Sequence, residues 1–155
     1  MKRQQIVEAL STRLKSIRIG AQVTIDGQAY TYQSDIGRKV FEWRTTDLTP
    51  GEGEMLCFWD PILDPDEESA SIGHLNHALQ VFIEYVAEKQ RPEMARKVMA
   101  DVRAAVGTDG TFGGLADGTS IVRVGNDLKA VLADRSLAGM LCVLEIRYST
   151  PRWEM

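Results

Sequence analysis

The sequence predicts an α+β domain, a mixed and largely antiparallel sheet with two main helices packed on one face. Three observations predict it. Two segments, Lys2 to Ile17 and Pro92 to Val106, repeat apolar residues at helical spacing. Several others alternate apolar and polar residues with the period of a strand. The helical segments are not regularly interleaved with the strands, which points to helices gathered on one side of a sheet.

The first helix places Ile6, Val7, Leu10, Leu14 and Ile17 on one face, with Lys2, Arg3, Glu8, Arg13 and Lys15 elsewhere, and Gly20 just past its end. Val23 and Ile25 then alternate up to Asp26-Gly27, a dipeptide that tolerates the positive φ of a two-residue hairpin turn, so Gln28 to Tyr32 is the returning strand. Arg38 to Arg44 alternates again and predicts a strand with Phe41 and Trp43 on one side. Asp47 to Glu54, with Pro50, Gly51 and Gly53, is a loop.

Met55 to Trp59 is a short apolar run, a buried strand by its length. Leu63 to Ser71 is an acidic connection. From Leu75 to Tyr85 the odd positions form one richly apolar face of a long strand. Pro92 opens the second helix where its missing N–H costs nothing, Met94, Val98, Met99, Val102, Ala105 and Val106 form the buried stripe, and Gly107 is its expected C-cap. A Gly-rich loop from Thr108 to Gly118 leads to a strand over Ser120 to Val124, a turn at Gly125-Asn126-Asp127, and an ambiguous stretch from Leu128 to Leu132. The last strand, Met140 to Tyr148, puts Met140, Cys142, Leu144, Ile146 and Tyr148 on one face.

A length of 155 residues predicts one domain over 1–155. Folding at this size buries roughly 68–70% of the unfolded surface, enough to need no metal or disulfide staple. Cys57 and Cys142 stand in apolar surroundings 85 positions apart, as small hydrophobes in a reducing compartment would. The first residues, Met1-Lys2-Arg3-Gln4-Gln5, offer no apolar signal core, and no apolar run approaches the ~18 residues of a membrane span. Both predict a protein made and kept in a cytoplasm, or one that leaves it without a signal peptide.

The net charge of −4 argues against a nucleic-acid binder held by phosphate contacts. Its distribution is uneven. Met1 to Arg44 carries 8 basic and 4 acidic residues, Thr45 to Glu88 carries 0 and 10, and Lys89 to Met155 carries 10 and 8. Such segregation suits pairing between copies of one chain, or else marks a solvated acidic loop.

Chemistry has few carriers here. His74 and His77 fall on a strand pattern that points them to opposite faces, and the cluster Asp60, Asp64, Asp66, Glu67, Glu68 lacks the central glycine and terminal Glu of a calcium loop. Neither predicts a metal. The run Gly107 to Leu115 follows a helix instead of preceding one, and no Lys-Ser/Thr pair closes it, so it is a connector with Asp109 capping a turn and not a phosphate loop. No nucleophile has an activating His beside it in sequence, so neither catalytic nor cofactor-binding residues are assigned. Phe41, Trp43, Phe58, Trp59 and Tyr85 are expected in the core, and Trp153, beyond Pro151, as a contact with a neighbour.

Three features then carry a resemblance. The amphipathic first helix ends in basic residues (Ile6 to Arg18). A long strand leads through the Pro-initiated helix into Asp109-Gly-Thr-Phe-Gly-Gly-Leu115, with Thr111, Phe112, Gly113 and Gly114 completing the pattern. The last strand closes on Ile146-Arg-Tyr-Ser-Thr-Pro151. In these the chain resembles the tail terminator, or tail-completion, proteins of long-tailed bacteriophages, over Leu75 to Pro151 and loosely in the first helix, and against that family Asp26 to Glu54 looks like a hairpin-and-loop elaboration.

The resemblance implies a non-enzymatic virion subunit that forms a ring, commonly a hexamer, on the head-proximal end of the tail tube after assembly in the host cytoplasm. It would end tube polymerisation and offer the head-joining surface. The implied partners are further copies of the chain, the tail tube protein and head-completion or neck proteins, with DNA passing through without specific binding and no membrane. The acidic Thr45 to Glu88 region, with Asp64, Asp66, Glu67 and Glu68, is expected either against a basic edge of Lys2, Arg3, Arg13 and Lys15 on a neighbouring copy or facing the channel, where it would repel passing DNA, with Trp153 as a further anchor between copies. The alternatives are another neck component, a head–tail joining or head-completion protein, or a small metal-binding domain.

Overall fold

The computed structural model describes residues 2–46, 48–61, 70–71, 74–89, 92–126 and 138–151. In chain order the elements are α1 (Lys2–Lys15), β1 (Gln22–Ile25), β2 (Gln28–Thr31), a 3-10 turn (Ile36–Lys39), β3 (Val40–Glu42), β4 (Glu54–Trp59), β5 (Ala70–Ser71), β6 (His74–Ala87), α2 (Pro92–Gly107), β7 (Gly118–Asn126) and β8 (Ala138–Pro151). The fold is α+β, as predicted.

β6 and β8 form the spine, antiparallel along their whole length from His74↔Pro151 to Ala87↔Ala138. The large sheet runs β3-β4-β6-β8-β7, with the short β5 also on β6. Every pairing in it is antiparallel except β3 with β4, where Val40 lies beside Leu56. β1 and β2 form a separate hairpin, and its turn residues Asp26 and Gly27 have φ of 49° and 78°, as the Asp-Gly signal requires.

The alternation along β6 decides the layers. Leu79, Val81, Ile83, Tyr85 and Ala87 are buried on one face together with Cys142, Leu144, Ile146 and Tyr148 of β8. Ile6, Val7, Leu10 and Leu14 of α1 and Val98, Met99, Val102, Ala105 and Val106 of α2 close the same core. Each buried Val, Leu, Ile or Met side chain among these contributes about 1.5–3 kcal/mol by leaving water, so both helices are held by apolar stripes and not by helix propensity.

The structure corrects the predicted elements in four places. Arg38 to Arg44 is mostly not strand: the 3-10 turn covers Ile36–Lys39 and β3 is three residues long. Val40 faces the core and Phe41 faces out, because Gly37 packs its backbone against the end of α1 and so sets the phase of the strand that follows. Phe41 and Trp43 are consequently exposed, whereas Phe58 and Tyr85 lie in the core as expected. Gly125 and Asn126 continue β7 opposite Leu141 and Met140 instead of turning, since a bulge between Ile121 and Arg123 lets the strand follow β8 further. Gly107 is the last helical residue and keeps an ordinary negative φ, so it is not a left-handed cap. The stretch Leu128 to Leu132 lies outside the described residues.

Candidate functional site

The connector between α2 and β7, where the family-like residues sit, is densely hydrogen-bonded. Thr108 Oγ1 donates to Ala105 O at 2.9 Å and ends the helix. The Asp109 carboxylate then accepts from Thr111 N (2.9 Å), Thr111 Oγ1 (2.6 Å) and Gly113 N (2.8 Å). These bonds, the Thr111 hydroxyl first, hold its pKa down at about 2. Thr111 O accepts from Gly114 N and Ala116 N, and Thr119 Oγ1 donates to Gly110 O at 2.7 Å, fastening the loop to the start of β7.

Phe112, Gly113 and Gly114 are all left-handed, with φ of 49°, 70° and 88°. That run of conformations turns the Phe112 ring inward, where it is 3% exposed, while both glycines stay at the surface. Leu115 packs against the same core. Arg13 of α1 locks the arrangement from outside: its guanidinium lies 4.3 Å over the Phe112 ring, 3.5 Å from the Asp109 carboxylate, and donates to the Asp109 carbonyl. The Thr111 and Gly113 N–H groups are taken by the chain's own Asp109, which leaves no nest of free donors for a phosphate. The segment is a tight, internally hydrogen-bonded connector from helix to sheet, as its order in the sequence indicated.

The expected contact residues are placed as follows. Lys2 Nζ donates to Ser149 O at 2.8 Å across the end of β8. Arg3 meets the acidic middle segment within its own chain, bonding the Asp60 carbonyl at 2.8 Å and its carboxylate at 3.3 Å. Arg13 serves the connector, and Lys15 is exposed at the end of α1. Asp64, Asp66, Glu67, Glu68 and Trp153 lie outside the described residues. His74 and His77 stand on opposite faces of β6, and His77 stacks on Tyr148 at 4.8 Å with Nε2 2.8 Å from Thr150 Oγ1. Among the described residues no group of three or more His, Cys, Asp or Glu side chains is arranged to hold a metal.

Two features were not legible in the sequence. Asp101 of α2 is wholly buried and accepts from Tyr30 OH (2.7 Å), Gln33 N (3.0 Å) and Ser34 Oγ (2.6 Å), which docks the β1–β2 hairpin on the helix. Its only signal was an acid within the apolar stripe. At the β3 edge, Arg44 makes a bidentate pair with Glu52 at 2.8 Å and stacks 4.6 Å over Phe41. This pairing, with help from Thr49, holds the Glu52 carboxyl well below the usual range. A cleft of about 350 Å³ nearby is lined by Lys39, Glu54, Tyr85, Glu88, Lys89 and Met94, and its carboxylates are engaged by Tyr85 OH (2.5 Å, to Glu54) and Gly51 N (2.9 Å, to Glu88).

No protein-family model matches the chain, and neither does any curated protein. Among solved structures it is similar to a chain of the virion of a native gene transfer agent particle, with 15% identity, a TM-score of 0.54, and coverage of 74% of this chain and 81% of that one. It also matches the sheath/tube terminator (PVC) of an extracellular contractile injection system in its extended state, with 13% identity and a TM-score of 0.43, over 95% of this chain and 56% of that one. The first shows a shared fold. The second, below 0.5, carries no weight.

Proposed function

We propose that the protein is a structural subunit of a phage-tail-like particle, which caps the head-proximal end of the tail tube as a ring, stops tube growth and presents the surface that joins the head. The observation that supports this reading most is the fold it shares with a chain of a gene transfer agent virion over 74% of its length. The connector is in keeping with it. Asp109, Thr111, Phe112, Gly113, Gly114 and Leu115 build a tight, internally hydrogen-bonded junction, which suits a subunit whose work is shape complementarity and not turnover. The partners under this reading are further copies of the chain, the tail tube protein and a head-completion protein.

The test is direct. Purified protein is mixed with isolated tail tubes and imaged by negative stain. Density on one end of each tube, and arrest of tube growth from free tube subunits, is the expected result. Binding to portal-bearing heads without binding to tubes would replace this reading with that of another neck component.

A further inference from the structure

Among the described residues, six large apolar side chains are exposed: Ile19, Phe41, Trp43, Ile121, Val122 and Val124. Five of the six lie at the two opposite edges of the large sheet. Among the described residues β7 is one edge, bonded to β8 alone, and Ser120 through Val124 are exposed on both of its faces. β3 is the other, with Phe41 and, just past it, Trp43. Exposed apolar edges are templates for strand pairing, which single-chain proteins usually blunt.

We infer that the β7 edge of one copy pairs head to tail with the β3 edge of a second copy, and that this contact builds the ring; the inference rests on the reading given above. Strand polarity supports a second copy as the occupant. β3 is parallel to β4, and β4, β6, β8 and β7 alternate in direction, so β3 and β7 of one sheet point oppositely. A second sheet continuing the first in the same orientation therefore presents β3 antiparallel to β7, the more stable ladder per residue.

Charge points the same way. The exposed stretch of β7 carries Arg123 and β3 carries Glu42. Their registers, Arg123 beside Val143 and Glu42 beside Phe58, put them on opposite faces, so the joined edges carry opposite charges without forming one ion pair. A two-fold β7–β7 contact would set Arg123 near its own copy and leave Phe41 and Trp43 uncovered. Trp43 is ready as an anchor: its backbone turns out of the strand at φ 54°, and its indole is held by donation from Nε1 to Asp60 Oδ1 at 2.7 Å. Joining two different edges is a heterologous contact, which closes into a ring where the rotation allows.

The test uses the full chain carrying Phe41→Cys, Ser120→Cys or both, treated with a short bismaleimide with and without tail tubes. Cys57 and Cys142 are fully buried and their thiols are pushed up to about 11, so they do not compete. Each single variant alone is expected to stay monomeric, an equal mixture of the two to give dimers, and the double variant to give a ladder of multimers. Val122→Cys replaces Ser120→Cys if the latter fails to fold by circular dichroism. Glu42→Arg or Arg123→Glu should lower the ladder yield about twofold to fivefold at low salt, and the two together should restore it. Dimers from Ser120→Cys alone, or no ladder from the double variant in either condition, overturn the inference. A ladder without capping of tubes by the unaltered protein refutes the terminator reading and leaves the edge contact standing; capping without a ladder does the reverse.

Discussion

The Arg13 guanidinium lies 4.3 Å over the ring of Phe112, joining the first helix to a loop almost a hundred residues later. Both partners are specific in kind. Phe112 reaches that place only because it adopts a left-handed backbone, and Arg13 is the planar cation that can stack there while pairing with Asp109. Arg13→Lys keeps the charge and loses the stack and the fork. It is expected to lower stability by about 1 kcal/mol, which for a chain of this size lowers Tm by roughly 2–4 °C in calorimetry. Arg13→Ala should cost more, and an unchanged Tm in both would show that the stack contributes nothing.

Asp109 gives a pH dependence with a definite sign. Its carboxyl titrates at about 2 in the folded chain against an ordinary 3.8, so the folded state favours the ionised form. The resulting stability is present above the ordinary value and is lost as pH falls from about 4 through about 2. Asp109→Asn removes that dependence. The gap in Tm between the unaltered protein and the variant should be constant from pH 7 to 5 and shrink steadily toward pH 2; a constant gap throughout would contradict the assignment.

Asp101 holds three donors in a fully buried position between α2 and the segment around β2. Asp101→Ala leaves the Gln33 amide and the Ser34 hydroxyl without their acceptor. The expected loss is about 3 kcal/mol or more in urea unfolding, with the hairpin amides losing hydrogen-exchange protection first. Asp101→Asn retains one acceptor oxygen and should lose less. Equal losses would mean that packing, and not hydrogen bonding, docks the hairpin.

Gly37 stands where no side chain fits. A Cβ there would lie 2.5 Å from Ile17 O and 2.7 Å from Lys15 O, both backbone atoms at the end of α1, and Gly37 N already donates to Ile17 O at 3.2 Å. Gly37→Ala is expected to destabilise by about 1–3 kcal/mol and to shift the β3 segment. Gly27→Ala is the contrast, with open space around it but a φ of 78°, so its smaller loss of about 1 kcal/mol reports backbone strain alone.

What could be read in the sequence was what repeats along it. The odd-numbered face of β6 and the even-numbered face of β8 are apolar in the chain and buried in the fold, Pro92 starts α2, and Asp26-Gly27 makes its turn. Phe41 was misplaced because a three-residue strand carries too little period to reveal its phase. The connector was recognisable as a turn from Asp109 and its glycines, but Arg13 was not recognisable as its clamp.

The primary structure by itself determined the layers, because burial follows a periodicity that each segment carries locally. Only the tertiary structure decided the partners. Arg3 with Asp60, Arg13 with Phe112, Asp101 with Ser34, and β3 parallel to β4 join positions far apart in the chain. A charge or a strand edge has no preferred partner until the core has folded and brought one within a few ångströms.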